Sequence, residues 1–568
     1  MPLRLTSLAV CSALVVASFA TGCSPGQPDA GGDTPAPRRT GPPVARAAAI
    51  AKSLNQTQLV GQVLMPFVYG DHASKISDAS AAANLEAYGA STPAKVLRRY
   101  QLGGLILVSQ SADPTSSTNP TTNVDSPKQV RELTSGLQHA ATKLGVARNA
   151  GEPMPLLIGT DQEHGVVTRI RDGMTLLPTA AGFGAAADPA LTERAWKMGG
   201  GELSAVGVNV DFAPSADVIG SAGNQVIGSR SYGSDPAQVA KQVRAAVRGL
   251  QGAGVAAALK HFPGHGHTTA DSHSELPLLA YHKDTLSRQD LPPFQAGIAE
   301  DAGLVMSGHL DVRGIDPGVA ATFSRKVLIG LLRQKLGFDG VVVSDAMNME
   351  PARKWGPGEA AVRAVLAGND LLLMPPDLDA AQRGLLRAMK SGRLPRERMV
   401  QAVTRILTLK LHLAGERQAN LSAVGSAPHQ EVAAEAAKAA VTVLRGSCGS
   451  ALVSGSAQVT GGLEEQRKWL AEGLREHGVK VADDGPAVHL TGYGDTAEDL
   501  ASDAAVTVGM DTPYLLAKAK SPAVVAAYGG NRFAMRAAAA VIAGAGKASG
   551  RSPAPVDGLP RTACGNAA

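Results

Sequence analysis

From about residue 50 to residue 415, short apolar runs recur at spacings that leave room for a helix between them. Gly, Pro or polar residues break each run, as expected where strands give way to loops. Eight runs read as strands: Leu59–Tyr69, Gly103–Val108, Pro155–Thr160, Val208–Phe212, Val255–Leu259, Gly303–Ser307, Gly340–Ser344 and Asp370–Met374. Helical stripes lie between several of them, most clearly at Ser324–Gly337. There Ser324 caps, Val327, Leu328, Leu331, Leu332 and Leu336 form one face, and Gly337 ends the helix. A helix over Pro395–Ala414, striped by Met399, Val403, Ile406, Leu407 and Leu409, closes the series. Eight strands alternating with helices predict a (β/α)8 TIM-like barrel with long loops. An open doubly wound sheet shares the same alternation.

A second pattern begins near residue 430. Apolar strands are expected at Ala451–Val453, Val479–Val481, Ala487–Leu490, Ala505–Val508 and Val524–Ala527, with helices such as Gly462–Leu474 and Arg532–Gly544 between them. This predicts a smaller α/β sandwich domain over 430–568, after a barrel over 49–418. Residues 1–23 carry Arg4, an apolar run from Leu8 to Ala20, and then Thr21-Gly22-Cys23. That reads as a secretory signal with a lipobox-like end, in which Cys23 is expected to become the lipidated first mature residue; ordinary signal cleavage nearby, with Cys23 incidental, is the other reading. Residues 24–48 are rich in Pro, Gly and Asp without periodicity and read as a disordered tether.

The chain has 568 residues and a formal net charge of +5, too small at this length to leave a nucleic-acid footprint. Aromatic residues are 4% of the chain, so no stacking platform for a long strand is evident. Of four cysteines, two fall in the first 23 residues; Cys448 and Cys564 remain, and can pair in an oxidising compartment.

Chemistry gathers at the ends of the expected strands. Residues 259–277 read LKHFPGHGHTTADSHSELP, placing Lys260, His261, His265, His267, Asp271 and His273 on one strand end and its loop. Four of the chain's 13 histidines lie in that stretch, too dense a cluster for chance packing. Strand three runs into Asp161-Gln162-Glu163-His164-Gly165 with Arg169 beyond, and strand four into Asn209, Asp211, Asp217 and Arg230. Strand six leads to Ser307, His309 and Asp311, and strand seven ends VVVSDAMNM with Asp345. In a barrel, these strand ends converge on one mouth. Asp271 and His273, two apart on a loop, can form a carboxylate–imidazole pair in which the Asp would orient the ring. A carboxylate nucleophile with a separate proton donor is the apparatus of retaining glycoside cleavage. Two other readings remain open from the residues alone. His265-x-His267 has the spacing of ligands in a metal-dependent barrel hydrolase, and the anchor also suits a lipid-anchored solute-binding protein.

KHFPGHGHTTADSH, VVVSDAMNM, DQEHGVVTR and GSRSYGSDP together resemble glycoside hydrolase family 3, in its β-N-acetylglucosaminidase (β-N-acetylhexosaminidase) branch. The resemblance covers roughly residues 55–415, and more weakly 430–560. It implies Asp345 as nucleophile, His273 as acid/base with Asp271 as its partner, and Asp161, Arg169, Arg230, Lys260 and His261 as sugar-binding residues. It implies an exo-acting enzyme on peptidoglycan fragments (muropeptides) or chito-oligosaccharides, with no metal or organic cofactor. The membrane enters only through the lipid anchor, on the outer face of the bacterial cell membrane. The sequence departs from the family pattern at His164, where a second glycine is usual, and at Val166, where arginine is common.

Overall fold

Eight short parallel strands do form, and they close on themselves. They are β1 (Leu64–Met65), β2 (Gly104–Ile106), β3 (Leu157–Thr160), β4 (Val210–Asp211), β5 (Ala256–Phe262), β6 (Leu304–Ser307), β7 (Val341–Ser344) and β8 (Leu372–Leu373). Parallel pairing runs unbroken from β2 through β3, β4, β5 and β6 to β7. A bridge from Val343 to Leu371 adds β8, which pairs with β1. Backbone bonds from Ile106 to Pro66 and from Gly103 to Gly61 bring β1 back to β2. Every residue of β5 is buried, as expected where side chains fill a barrel and helices cover its outside. The computed structural model describes residues 42–108, 123–220, 224–268 and 270–565. The expected signal, Cys23 and most of the expected tether lie outside them.

Four of the expected elements take another form. The run Leu59–Tyr69 divides into a helix, Gln56–Gln62, and the two-residue β1. Asn55 starts that helix with a capping box, its Oδ1 accepting from the Gln58 N–H while Gln58 Oε1 accepts from the Asn55 N–H, both at 2.9 Å. The last residues of the expected tether are also helical: Pro42–Ser53 buries Ala47, Ile50 and Ala51 against the helix Arg396–Ala414. Its alanine-rich run favours helix once one face can be covered. Ser324 caps its helix as expected, yet Lys326–Lys335 is wound as a π-helix and ends on the Leu336-to-Leu331 bond. Ala451–Val453 is not a strand, because Leu452 and Val453 donate instead to the carbonyl of Ile542 at a helix end.

The second domain is one six-stranded sheet. Its strands are β9 (Thr442–Arg445), β10 (Ser456–Gly461), β11 (Lys480–Val481), β12 (Ala487–Thr491), β13 (Val506–Gly509) and β14 (Ala523–Ala526). They lie in the order β9-β14-β13-β12-β10-β11, parallel except for β9 against β14. Helices Glu464–Glu476 and Arg532–Ile542 pack against each other over it. A disulfide joins Cys448 to Cys564, with Cα atoms 5.4 Å apart. The loops that follow the parallel strands of this sheet face the barrel. Thr179 donates its backbone N–H to the Tyr528 carbonyl and Asn531 Nδ2 donates to the Leu177 carbonyl, at 2.9 and 3.0 Å. A cleft of about 420 Å³ opens beside these contacts, between Gly165–Thr179 and the loops at Gly462, Tyr493, Asp511 and Gly530.

Candidate active site

The floor of the site is a buried ionic network built from three strand ends. After β3 the chain doubles back as a small hairpin, Gln162–His164 against Val167–Thr168. Gln162 holds it, because its Oε1 accepts from the N–H groups of Arg169 and Ile170 and its Nε2 donates to the Ile170 carbonyl. This fold-back sets Arg169 beside Asp161, at 3.8 Å. At the end of β5, Lys260 Nζ lies 2.7 Å from Asp161 Oδ1 and 2.6 Å from Glu163 Oε1. Arg230, on the turn Gly228–Arg230, grips Glu163 with both Nε and Nη2, at 2.7 and 2.9 Å. Burial opposes ionisation of Glu163, but Arg230 and Lys260 outweigh it and hold the carboxyl well below its usual range. The same carboxylates hold Lys260 protonated although it is buried.

His261 links the floor to the mouth. Its Nδ1 lies 2.7 Å from Asp217 Oδ2, and Arg230 Nη2 lies 3.3 Å from its Nε2. The guanidinium only donates, so Nε2 accepts and Nδ1–H points at Asp217. Asp217 is kept ionised against its burial chiefly by this ring. Directly after β7, Asp345 presents its carboxyl at the mouth, with Oδ1 accepting from the Ala346 N–H at 2.8 Å. Burial works against its charge, and His261, His309, the Ala346 N–H and His273 overcome it, so the Asp345 carboxyl titrates below its ordinary value. His309 fixes the peptide that holds it. Its Nε2 lies 3.1 Å from the Ala346 carbonyl and its Nδ1 lies 2.9 Å from Thr322 Oγ1. A carbonyl only accepts, so Nε2 carries the proton, and burial pushes the ring's titration down.

The pair expected on the loop after β5 is formed. His273 Nδ1 lies 2.7 Å from Asp271 Oδ1, which also accepts from the His273 backbone N–H at 2.8 Å. Both side chains are a little over one quarter exposed. Burial opposes the charge of Asp271, but the backbone N–H and then the ring of His273 lower its titration below the usual value. The arrangement leaves His273 Nε2 as the nitrogen that can exchange a proton with a ligand.

The sequence profile of the glycosyl hydrolase family 3 N terminal domain matches residues 60–409, well over half of the chain. The chain belongs to glycoside hydrolase family 3. This family 3 hydrolase is 32% identical over 434 residues to Beta-hexosaminidase A of Pseudoalteromonas piscicida, covering 71% of this chain and 69% of that one. It is 43% identical over 241 residues to a Beta-hexosaminidase of Stenotrophomonas maltophilia (strain K279a), covering 41% of this chain and 71% of that one. The solved family 3 β-N-acetylglucosaminidase of Paenibacillus sp. str. FPU-7 superposes with a TM-score of 0.76 at 31% identity, over 89% of this chain and 99% of that one. That likeness spans both domains.

Of the site residues read from the family 3 motifs, Asp161, Arg169, Arg230, Lys260 and His261 form one continuous network. Asp345 lies within electrostatic reach of His261 and His273. The histidines of the metal-hydrolase reading take other partners: His265 meets the hydroxyls of Thr268 and Ser272, and His267 meets Asp290. Among the described residues, no three His, Cys, Asp or Glu side chains gather as a metal site. A barrel followed by a smaller sandwich also differs from the two similar lobes of a solute-binding protein.

Sequence reasoning gave no role to Glu163, Asp217 or His309, the counter-ions and props of this site, and none to Asp511. Asp511 belongs to the second domain, yet it accepts a short hydrogen bond from Ser229, the neighbour of Arg230. His164, which replaces the usual glycine, adopts φ +64. It holds that left-handed conformation by burying its ring edge-on against Trp196, at 5.6 Å. Burial pushes this ring down to about 4, so it serves as packing in neutral form.

Proposed function

We propose that this family 3 hydrolase is an exo-acting, retaining β-N-acetylglucosaminidase, and that it removes terminal N-acetylglucosamine from peptidoglycan fragments or chito-oligosaccharides. The observation that carries the reading is Asp345, a carboxylate directly after a barrel strand, together with a separate imidazole–carboxylate pair formed by His273 and Asp271 on the loop after β5. The names of its relatives support the sugar specificity. Asp345 attacks the anomeric carbon while His273 Nε2 gives its proton to the departing oxygen, leaving a glycosyl ester on Asp345. The imidazole, now neutral, takes a proton from the incoming acceptor, water in hydrolysis, and the ester bond breaks as the new bond forms. Asp271 holds the ring and stabilises its cationic form. Asp161, Arg169, Arg230, Lys260 and His261 bind the sugar hydroxyls. Cys23 carries the lipid that holds the enzyme at the outer face of the membrane, as the Thr21-Gly22-Cys23 sequence after an apolar run indicates.

A panel of nitrophenyl glycosides tests the specificity, and a slow fluorinated N-acetylglucosaminide tests the intermediate. The expected adduct lies on the peptide containing Ser344-Asp345-Ala346, and Asp345→Asn is expected to fold but not to turn over. An adduct on another peptide, or a fully active Asp345→Asn enzyme, rejects the assignment.

A further inference from the structure

Between the two half-buried members of the Asp271–His273 pair sits a residue that is almost wholly buried. Ser272 is 3% exposed, and its hydroxyl lies 3.0 Å from Nε2 of His265, itself 1% exposed. On the other side of that ring, Nδ1 lies 2.7 Å from the Thr268 hydroxyl. The Thr268 hydroxyl reaches the His265 carbonyl at 2.9 Å, a group that only accepts. Thr268 therefore donates to the carbonyl and takes the Nδ1 proton, which leaves the Nε2 lone pair to accept from Ser272. The base of this arrangement is fixed in turn. Asp217 Oδ1 accepts the His265 backbone N–H at 2.7 Å, while its other oxygen meets the His261 ring. A chain of hydrogen bonds thus runs from the sugar-binding floor through Asp217 and His265 to the middle of the catalytic loop.

We infer that His265 is a positioning residue, a neutral pin that fastens Ser272 and so holds Asp271 and His273 over the site. An alternating half-buried, buried, half-buried triplet gives a reason for the pin. The two outer residues must stay accessible to substrate, so neither can be anchored by burial, and the loop is held through the residue between them. Burial pushes the His265 ring down to about 4, so its Nε2 stays an acceptor at neutral pH. The inference rests on the glycosidase reading for its effect on turnover, but not for its effect on the loop.

Both effects are measured on the full chain with His265→Ala, His265→Gln, Ser272→Ala and the His265→Ala/Ser272→Ala double variant. A displaced proton donor is expected to lower kcat/KM for sugar leaving groups by about 10²-fold, because small misplacements cost that much. Dinitrophenyl glycosides, which leave unprotonated, are expected to lose only about 3-fold, with KM little changed. The double variant should be no worse than either alanine variant, and His265→Gln, which keeps a side-chain acceptor for Ser272, should recover most of the loss. Amide exchange of residues 270–276 should rise about 10-fold in both alanine variants while β5 stays protected. Equal losses for all leaving groups, additive losses in the double variant, or unaltered exchange in the loop would each overturn the pin. A wild-type protein that cleaves no N-acetylglucosaminide removes the glycosidase reading instead, and the exchange measurement still decides whether His265 holds the loop.

Discussion

Glu163 carries the floor of the site, and replacing it by glutamine tests that directly. Its carboxylate meets Lys260 at 2.6 Å and Arg230 at 2.7 and 2.9 Å, and all three side chains are buried or nearly so. Glutamine keeps the shape and one oxygen acceptor but no charge. Lys260 then retains Asp161, and Arg230 retains the Val226 carbonyl and His261. Breaking a buried pair by removing one partner costs about 3–5 kcal/mol, and the surviving contacts place Glu163→Gln near the lower end, at about 3 kcal/mol. The assay is urea unfolding of the barrel transition at constant slope, repeated between pH 3 and 8. The sign follows from the depressed titration of Glu163 in the fold. Its stabilisation is complete above the unfolded carboxylate value of about 4.3 and is lost as pH falls toward the lower folded value. The gap between wild type and variant is therefore flat from pH 5 to 8 and narrows in acid. Sugar binding should weaken in parallel, as a rise in KM. A variant within about 1 kcal/mol of wild type at pH 7, or a gap that widens on acidification, refutes the claim that this carboxylate organises the floor.

Three further outcomes are expected. Burial pushes Lys410, hydrogen-bonded to Gln62 at 2.9 Å, down to about 7, so wild-type stability should rise with pH between about 7 and 10.4 as the unfolded state gives up its proton. Lys410→Met should be more stable than wild type by about 2 kcal/mol or more at pH 7 and lose that advantage by about pH 10.5; parallel pH curves would contradict the buried-lysine account. The Cys448–Cys564 bridge closes a separation of 116 residues, so the double alanine variant should lower the unfolding free energy of the second domain by about 2–4 kcal/mol, and a domain indifferent to reduction would speak against the bond. Mass spectrometry of the mature amino terminus should find a diacylglyceryl group on Cys23, and an unmodified terminus beyond that residue would remove the anchor.

The barrel strands were legible because parallel strands covered on both sides read as unbroken apolar runs. The exception is Leu59–Tyr69, where the helix Gln56–Gln62 buries Leu59 and Val60 and so carries the same apolar signal. Asn55 and Gln58 in capping-box spacing were the available correction. In the second domain β10 was missed for the opposite reason: it is mostly half-buried, and only Ala457 and Val459 along it are apolar. The residues proposed for catalysis were visible because they belong to dense motifs. Their supports were not, because a counter-ion is defined by its partner. Glu163 finds Arg230 after 67 residues and Ser229 finds Asp511 after 282, and no local pattern announces either meeting. DQEHG shows two carboxylates of equal standing; only the ends of β5 and the turn Gly228–Arg230 decide that Glu163 is the more deeply enclosed.

The histidines of KHFPGHGHTTADSH make the same point about chemistry rather than topology. By residue type they are alike, and their spacing alone admits a metal site. Their partners separate them: a carboxylate for His261, hydroxyls for His265, Asp290 for His267, and Asp271 for His273. A proton donor has to change charge once per turnover, so it needs solvent access and a carboxylate to stabilise the cation. A pin has to keep one charge state throughout, because protonating His265 Nε2 would turn the acceptor for Ser272 into a donor. Burial without a carboxylate on the ring supplies that constancy, and exposure beside Asp271 supplies the opposite. Exchanging the two environments would leave the motif intact on paper and the loop without either function.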